Sequence, residues 1–494
     1  MIAANGRTPQ WRRRRESSAS AVIDIGSNTV RLVIYGAPRR APTVLWNEKV
    51  SARLGSDLAD TGLMPEAAME EALAALDRYA LIASDLGVRD MQIVATAAPR
   101  DADNGPQFLR RIADRGLPVK LLTGEEEAMA SAHGAIGAFP GAHGVVADLG
   151  GGSLELISVK DGSCHEGASF PLGTLRLPAL RAKGNFERKV AKMLKAQDWA
   201  RNQDGPLYMV GGTWRALAAY AMRAMDYPLT DPHGFTLTTE DALAFAKTIQ
   251  RSKTSKLAQI RGISSMRAEK LPDAAALLRV LLADLMPEGL VFSSWGLREG
   301  LLFQRLDPLD GAKDPLLAGV SEFAAERSAS VTDATLIAAW TSAAASGSGN
   351  RTERLRLAAA QLVLALHRVE PNLRHEHALE WALDKRWIGV DANGRAMLGA
   401  ALLGSLGTTA HPDRLTRLAS AGELKEATGW GLALRLAQRL GAGARAALSA
   451  SRLIADEGTL TLRVEASHAG LVTAVVKKDL GILAEWLGLE ASVD

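Results

Sequence analysis

Two stretches of this chain repeat one local pattern, and that repetition constrains the fold more than any other feature. AVIDIGSNTVRLVI (residues 21–34) and VVADLGGGSLELISV (145–159) each deliver an apolar run onto an aspartate and pass one apolar residue. Each then turns through glycine and small polar residues and returns as a second apolar run. Branched apolar runs on either side of a glycine turn read as β-hairpins. The first hairpin is followed by PTVLWNEKVSARLG, which extends its sheet, and by an apolar-periodic helix over 65–86. Next come a strand in MQIVATAA, a helix through GPQFLRRIADRG, a strand in VKLLT and a helix from Glu125. After Pro140 the scheme restarts, and it continues into LYMVGGTWRALAAYA, where a short strand meets Gly211-Gly212-Thr213 and then a helix. A duplication of this length predicts two related α/β halves rather than a short solenoid repeat. Such halves pack with a cleft between their glycine turns, and clefts of that kind take ligands.

The chain has 494 residues, too many for one core, so two to four domains are expected. From about Asp307 the character changes: LDPLDGAKDP is a turn-rich linker, and 315–494 reads as a separate, mostly helical domain. Its strongest helical patterns, TDATLIAAWTSAAAS and TERLRLAAAQLVLALHRVE, are separated by SGSGN. Further helices are expected in 376–384, 394–406, 413–421 and 430–449, with one late strand in TLTLRVEA. Residues 1–20 are expected to be a disordered basic arm around Arg12–Arg15, with no apolar segment of a secretory leader. No apolar run reaches the roughly 18 residues that a membrane span needs. Lys and Arg exceed Asp and Glu by only three, which excludes a strongly polycationic nucleic-acid binder but leaves room for a local basic groove. The single cysteine, Cys164, forbids an internal disulfide and fits a reducing cytoplasm.

Three glycine turns could cradle phosphate oxygens on backbone N–H groups: Gly26-Ser27-Asn28, Gly150-Gly151-Gly152-Ser153 and Gly211-Gly212-Thr213. One such turn is explained by hairpin geometry alone; three, two of them behind strand-end aspartates, point toward phosphate. Asp24 and Asp148 each end an apolar strand, where a carboxylate is costly unless it is bonded. They either cap their own turns or face one another across a magnesium ion. Glu155 alternates with Leu154 and Leu156, so it points away from both, into the cleft or into solvent. In LLTGEEEAMASAHG, Thr123 and Glu126 make a capping box, and carboxylates in a first helical turn suit the helix dipole. Glu127 lies one residue deeper, where a glutamate could serve as a general base toward water.

Taken together these segments resemble the exopolyphosphatase/guanosine pentaphosphate phosphohydrolase (Ppx/GppA) family of the actin-like superfamily. The resemblance runs in order through AVIDIGSNTVRLVI, VATAAPRDADNG, GEEEAMASAHG, DLGGGSLEL, MVGGTWRALAA, RGISSMRAEKLPDAAALL and SSWGLREGLLF, over residues 21–305. It implies a duplicated actin-like (ribonuclease H-like) α/β core, with one subdomain from 21–138 and 296–308 and the other from 139–295. It further implies Mg²⁺-dependent, processive release of the terminal phosphate of inorganic polyphosphate. Glu127 would be the base, Asp148 a metal ligand, and Glu155 a catalytic residue that places water or metal; Asp24, at the end of its own strand, is the second candidate ligand. The amides of the first two loops would clamp phosphates with Arg31 and Arg267, joined by Gly212 and Thr213, and Arg100 is a further candidate. Arg298 and Glu299 read instead as a structural ion pair. Where a glycine turn is common in the family, this chain has Pro272-Asp273, a departure that leaves both the local loop and the role of Arg267 open. The C-terminal domain resembles a degenerate HD-type domain: RHEHALEWAL has His375, Glu376 and His377 but no His-Asp dyad. Arg351, Arg354 and Arg356 could line a channel for long chains or form an ordinary solvated helix face. A cytoplasmic homodimer is expected, with guanosine tetra- or pentaphosphate as a further ligand or inhibitor. Hydrolysis of guanosine pentaphosphate to the tetraphosphate is the alternative activity. A non-catalytic regulator and a sugar kinase are weaker alternatives.

Overall fold

A computed structural model describes residues 19–196, 198–201, 203–345 and 349–494. The arginine cluster at 12–15 lies outside the described residues. The chain divides into two compact units, Met1–Asp226 with Pro232–Lys313, and Tyr227–Asp231 with Asp314–Asp494.

The first unit contains the duplication. Strands β1 (Ser20–Ile25), β2 (Val30–Gly36), β3 (Thr43–Val50), β4 (Asp90–Ala95) and β5 (Val119–Leu121) form a sheet in the order β3-β2-β1-β4-β5. Strands β6 (Gly144–Leu149), β7 (Leu154–Lys160), β8 (Ser163–Phe170), β9 (Leu207–Val210), β10 (Thr236–Leu237) and β11 (Leu290–Ser293) form a second sheet, β10-β11-β9-β6-β7-β8. Read from the other edge, the second order repeats the first, with β10 added. In both sheets an antiparallel hairpin is joined by a parallel strand that returns through a helix. The central strands β1 and β6 are buried on both faces, which is why they read as unbroken apolar runs rather than alternating ones.

Helices α1 (Glu66–Asp85), α2 (Gly124–Ala138), α3 (Gly212–Ala224), α4 (Ser265–Leu285) and α5 (Leu297–Phe303) complete the part of this unit that positions the site. On α1, Met69, Ala72, Leu73, Leu76 and Tyr79 form a buried stripe that packs under the first sheet. Helix α2 starts at the expected capping box, with Thr123 and Glu126 bonded reciprocally. The expected boundary at 138/139 places α2 with the first sheet. Its Ala128, Ala132, Ala135 and Ile136 pack against Val146, Ile157, Val159 and Tyr208 of the second. Helix α5 crosses α2 so closely that a methyl group on Gly300 would stand 1.7 Å from the Ala130 carbonyl oxygen. From there Leu301 and Leu302 reach back onto Val22, Val33 and Tyr35 of the first sheet.

The segment at Pro272-Asp273, left open from sequence, forms no loop. Pro272 lies inside the continuous helix α4, and Asp273 pairs with Arg181. A proline inside a helix costs about 3 kcal/mol. The buried residues around it, Leu271, Ala274, Ala275, Leu277 and Leu278, offset that with several large apolar contacts.

The second unit is mostly helical, built on α6 (Pro315–Ala325), α7 (Val331–Trp340), α8 (Asn350–Leu366), α9 (Ala392–Ser405), α10 (Ala421–Gly441) and α11 (Ala474–Leu487). The one expected late strand is the middle strand of three: β12 (Ser451–Asp456), β13 (Thr459–Val464) and β14 (Glu490–Val493). His375 meets the Thr408 hydroxyl at 2.8 Å, and His377 meets Glu380 at 2.8 Å. The three arginines of α8 are engaged inside this unit. Arg351 bonds Asp391 and Asn393, Arg354 bonds Asp314, and Arg356 is buried against Glu353 and the Ala338 carbonyl. Among the described residues no helix is long and apolar enough to cross a membrane.

Candidate active site

The two hairpin turns are built alike. Gly26 N–H donates to the Thr29 carbonyl at 3.0 Å, and Gly150 N–H donates to the Ser153 carbonyl at 3.0 Å. The remaining turn carbonyls are bonded outward. Ser27 and Asn28 accept from Gly55 and Arg53, while Gly150, Gly151 and Gly152 accept from Thr174, Leu175 and Gly173. In a trans peptide the N–H points opposite to the carbonyl of the same unit. The amides of Asn28, Thr29, Gly151, Gly152 and Ser153 are therefore turned the other way, toward a cavity of about 240 Å³ that these residues line.

The triple glycine answers first to its twin. A methyl group on Gly152 would lie 2.8 Å from both Ala97 Cβ and Ser27 Oγ, and one on Gly151 would lie 3.3 Å from Ser27 Cβ. Gly150 has ordinary clearance. The third turn completes the wall: Gly211 has φ +114°, and a Cβ there would stand 2.6 Å from the Leu149 carbonyl oxygen.

Strand register places the carboxylates. Asp24 pairs across the first hairpin with Arg31, and Asp148 pairs across the second with Glu155. Directly opposed residues share one face of a sheet. Glu155 therefore faces the cavity rather than solvent; it is 1% exposed and accepts a bond from Ser169 Oγ at 2.9 Å. Glu127 enters from α2 and accepts a bond from Arg100 Nη1 at 2.9 Å. One turn further along the same face, the Ser131 hydroxyl donates to Asp148.

These four carboxylates are all held above their ordinary pKa. Burial is the main cause for Asp24, opposed by Arg298 and Arg31. Asp148 is raised by burial against the Ser131 bond and the Arg215 charge. Glu155 is raised well above its usual range by burial and then by Glu127 and Asp148. Burial pushes Glu127 up to about 7, with Arg100 pulling down and Asp148 and Asp24 pushing up.

Six cations line the same cavity: Arg31, Lys49, Arg215, Arg267, Lys270 and Arg298. Of the residues singled out from sequence, the cavity gathers Asp24, Gly26, Ser27, Asn28, Arg31, Glu127, Asp148, Gly150, Gly151, Gly152, Ser153, Glu155, Gly212, Thr213 and Arg267. Arg100 is not in its lining; its guanidinium is taken up by Glu127, the Leu122 carbonyl and Asp101. The expected Arg298–Glu299 pair is also different. Glu299 accepts from the Tyr35 hydroxyl at 2.6 Å and from Gly296 N–H at 3.1 Å, while Arg298 lines the cavity. Sequence reading passed over Lys49, Ser131, Arg215 and Lys270. Ser131 was signalled by its i+4 spacing from Glu127, and Arg215 by its place three residues after Gly212. Among the described residues no three His, Cys, Asp or Glu side chains gather into an all-protein metal cage.

The model of the Ppx/GppA phosphatase family matches residues 33–308, ending before Asp314, where the larger segment of the second unit begins. The chain is 28% identical over 304 residues to exopolyphosphatase 1 of Mycobacterium tuberculosis H37Rv, covering 58% of this chain and 88% of that protein. It is 28% identical over 306 residues to exopolyphosphatase 1 of Mycobacterium leprae, covering 58% and 89%. A crystal structure of the Aquifex aeolicus Ppx/GppA family member superposes with a TM-score of 0.51 at 26% identity, over 58% of this chain and 96% of that one. The structure of an exopolyphosphatase from Cytophaga hutchinsonii, 24% identical over 60% and 99% of the two chains, shares the fold with a TM-score of 0.53.

Proposed function

This chain belongs to the Ppx/GppA phosphatase family and is a hydrolase of phosphoanhydride bonds, and on that premise we propose that its substrate is inorganic polyphosphate, shortened one terminal phosphate at a time. The observation that carries the proposal is the lining of the cavity. It offers six cationic side chains and inward-facing amides, and none of its lining residues is aromatic. A purine nucleotide is held by stacking as well as by its phosphates; a bare polyphosphate chain needs only charge and hydrogen-bond donors.

In this reading Glu127 takes a proton from a water molecule whose oxygen attacks the terminal phosphorus. The bridging P–O bond breaks, orthophosphate leaves, and the electron pair stays on the shortened chain. Arg100, bonded to Glu127, favours the ionised carboxylate that a base requires. Glu155, opposite Asp148, places the water. The loop amides with Arg31 and Arg267 hold the phosphates, because phosphoryl transfer asks the protein mainly for positioning and charge stabilisation.

Asp148 and Asp24 would hold magnesium. The donor set fits that ion, which takes one or two carboxylates and completes its shell with water and phosphate oxygens. Two half-buried aspartates on one cavity, each disfavoured as an anion, are groups that a divalent cation would stabilise. When bound, magnesium would neutralise charge on the phosphate oxygens.

The test compares phosphate release from long-chain polyphosphate and from guanosine pentaphosphate on one preparation with magnesium. A higher kcat/KM on polyphosphate is expected. Faster turnover of the nucleotide would overturn the assignment, and binding of either without phosphate release would make the protein a regulator.

A further inference from the structure

Among the described residues, Arg215 is a half-buried cation that no carboxylate holds in an ion pair. It projects from the first turns of α3, and its backbone N–H closes onto the Gly211 carbonyl at 3.2 Å. The guanidinium lines the cavity, and its Nη1 reaches only the Ser293 carbonyl, at a long 3.4 Å. Among the described residues no carboxylate lies within ion-pairing distance of it. Arg100 is different, being held by Glu127 at 2.9 Å.

The groups nearest to Arg215 make its position less favourable still. Arg267 stands over the same turn, where a methyl group on Gly212 would lie 2.9 Å from Arg267 Nη2. Burial, Arg267 and Arg298 depress the pKa of Arg215 to about 9 against a weaker opposing pull from Glu299. Of the carboxylates that feel Arg215, Asp148 already accepts the Ser131 hydroxyl, and Glu299 accepts the Tyr35 hydroxyl and the Gly296 N–H. A charge drawn partly out of water without an ion-pair partner is unfavourable, and crowding it with like charges makes it more so. A planar fork of N–H donors in such a place is built for an anion with more than one free oxygen.

We propose that Arg215 is a catalytic residue, its guanidinium bound to the non-bridging oxygens of the terminal phosphoryl group and stabilising the charge that builds there as the bridging bond breaks. The inference rests on the polyphosphate reading of the cavity and adds to it the group that contacts the transferring phosphate. Arg267 and the first-turn amides at Gly212 and Thr213 converge on the same anion. The alternative is that Arg215 only ties α3 to the end of β11 through Ser293.

The test is Arg215→Ala in the full-length chain. With polyphosphate and magnesium, kcat is expected to fall about 10²–10³-fold, the loss typical of one transition-state donor. The thermal midpoint should hold or rise, since an unfavourably placed charge is removed, and added guanidinium should restore at least about tenfold of the lost rate, which a tie to Ser293 would not allow. Calorimetry with orthophosphate should show binding by the wild type and a loss of it in the variant. Should the alanine variant fail to fold, Arg215→Lys keeps charge without the fork and should be folded and at least about tenfold slower. A folded variant with wild-type kcat overturns the proposal while leaving the polyphosphate reading intact. So does a variant that is only less stable. If the wild type releases no phosphate from polyphosphate, the functional reading fails; orthophosphate binding that depends on Arg215 would still support the anion contact, and binding independent of it would overturn it.

Discussion

Glu127 sits where opposing influences on one proton nearly balance. Burial, Asp148 and Asp24 favour the neutral acid, and the Arg100 guanidinium favours the anion, leaving the pKa raised to about 7. A general base works ionised, so kcat should fall as pH drops through about 7. Glu127→Gln should lose about 10²–10⁴ in kcat, the range for a missing base, while still binding polyphosphate. Arg100→Ala removes the influence that lowers the pKa, so its acid limb should move to higher pH; an unmoved limb would show that another group controls it. The same shift bears on stability. Native Glu127 binds its proton more tightly than the unfolded chain does, so its contribution is fully present below the ordinary 4.5 and is lost as pH rises through about 7. Urea midpoints of the wild type relative to Glu127→Gln should accordingly fall between pH 5 and pH 8. None of this balance was legible locally, because Arg100 and Asp148 lie on other elements. What was legible was the capping box that starts the helix at Thr123.

The duplicated hairpin is the element on which the site is organised, and the duplication is asymmetric in a useful way. The same cross-strand position holds Arg31 in the first copy and Glu155 in the second, opposite Asp24 and Asp148 respectively. One fold unit used twice thus offers a cation for phosphate from one side and a carboxylate from the other. Sequence pattern identified the turns; the reason for three glycines required the second copy to be docked on the first. Gly152 is forbidden a side chain by Ala97 and Ser27, whereas Gly150 is not. Gly152→Ala should therefore cost about 1–3 kcal/mol in urea unfolding, the range for forced overpacking. Gly150→Ala should change stability by less than about 1 kcal/mol; equal losses at the two positions would contradict the loop-against-loop packing. Helix α2 could not be assigned to its sheet from sequence, since its alanine-rich surface fits either, and the close crossing at Gly300 is visible only in space.

At the scale of the whole chain, every residue lining the cavity belongs to the first unit. The Aquifex aeolicus relative is matched over 96% of its own length by 58% of this chain. A fragment Met1–Lys313 should accordingly fold and release phosphate from tripolyphosphate. The segment Tyr227–Asp231 would lose its partners, since Pro228 accepts from Arg414 and Asp231 pairs with Arg386. A folded fragment without turnover would place a residue beyond Lys313 in the reaction. By itself the sequence determined the two hairpins, the helix caps, the two-part division near 313 and the residue types gathered for phosphate chemistry, because turns, caps and periodicity act over a few neighbours along the chain. Only the tertiary structure decided that Arg298 joins the cavity while Glu299 bonds Tyr35, that Arg100 serves Glu127, that Pro272 is carried inside a helix and that Arg215, among the described residues, has no ion-pair partner. Those outcomes depend on burial and on charges brought together from distant segments, and through-space electrostatics in a desolvated cleft has no counterpart in local sequence.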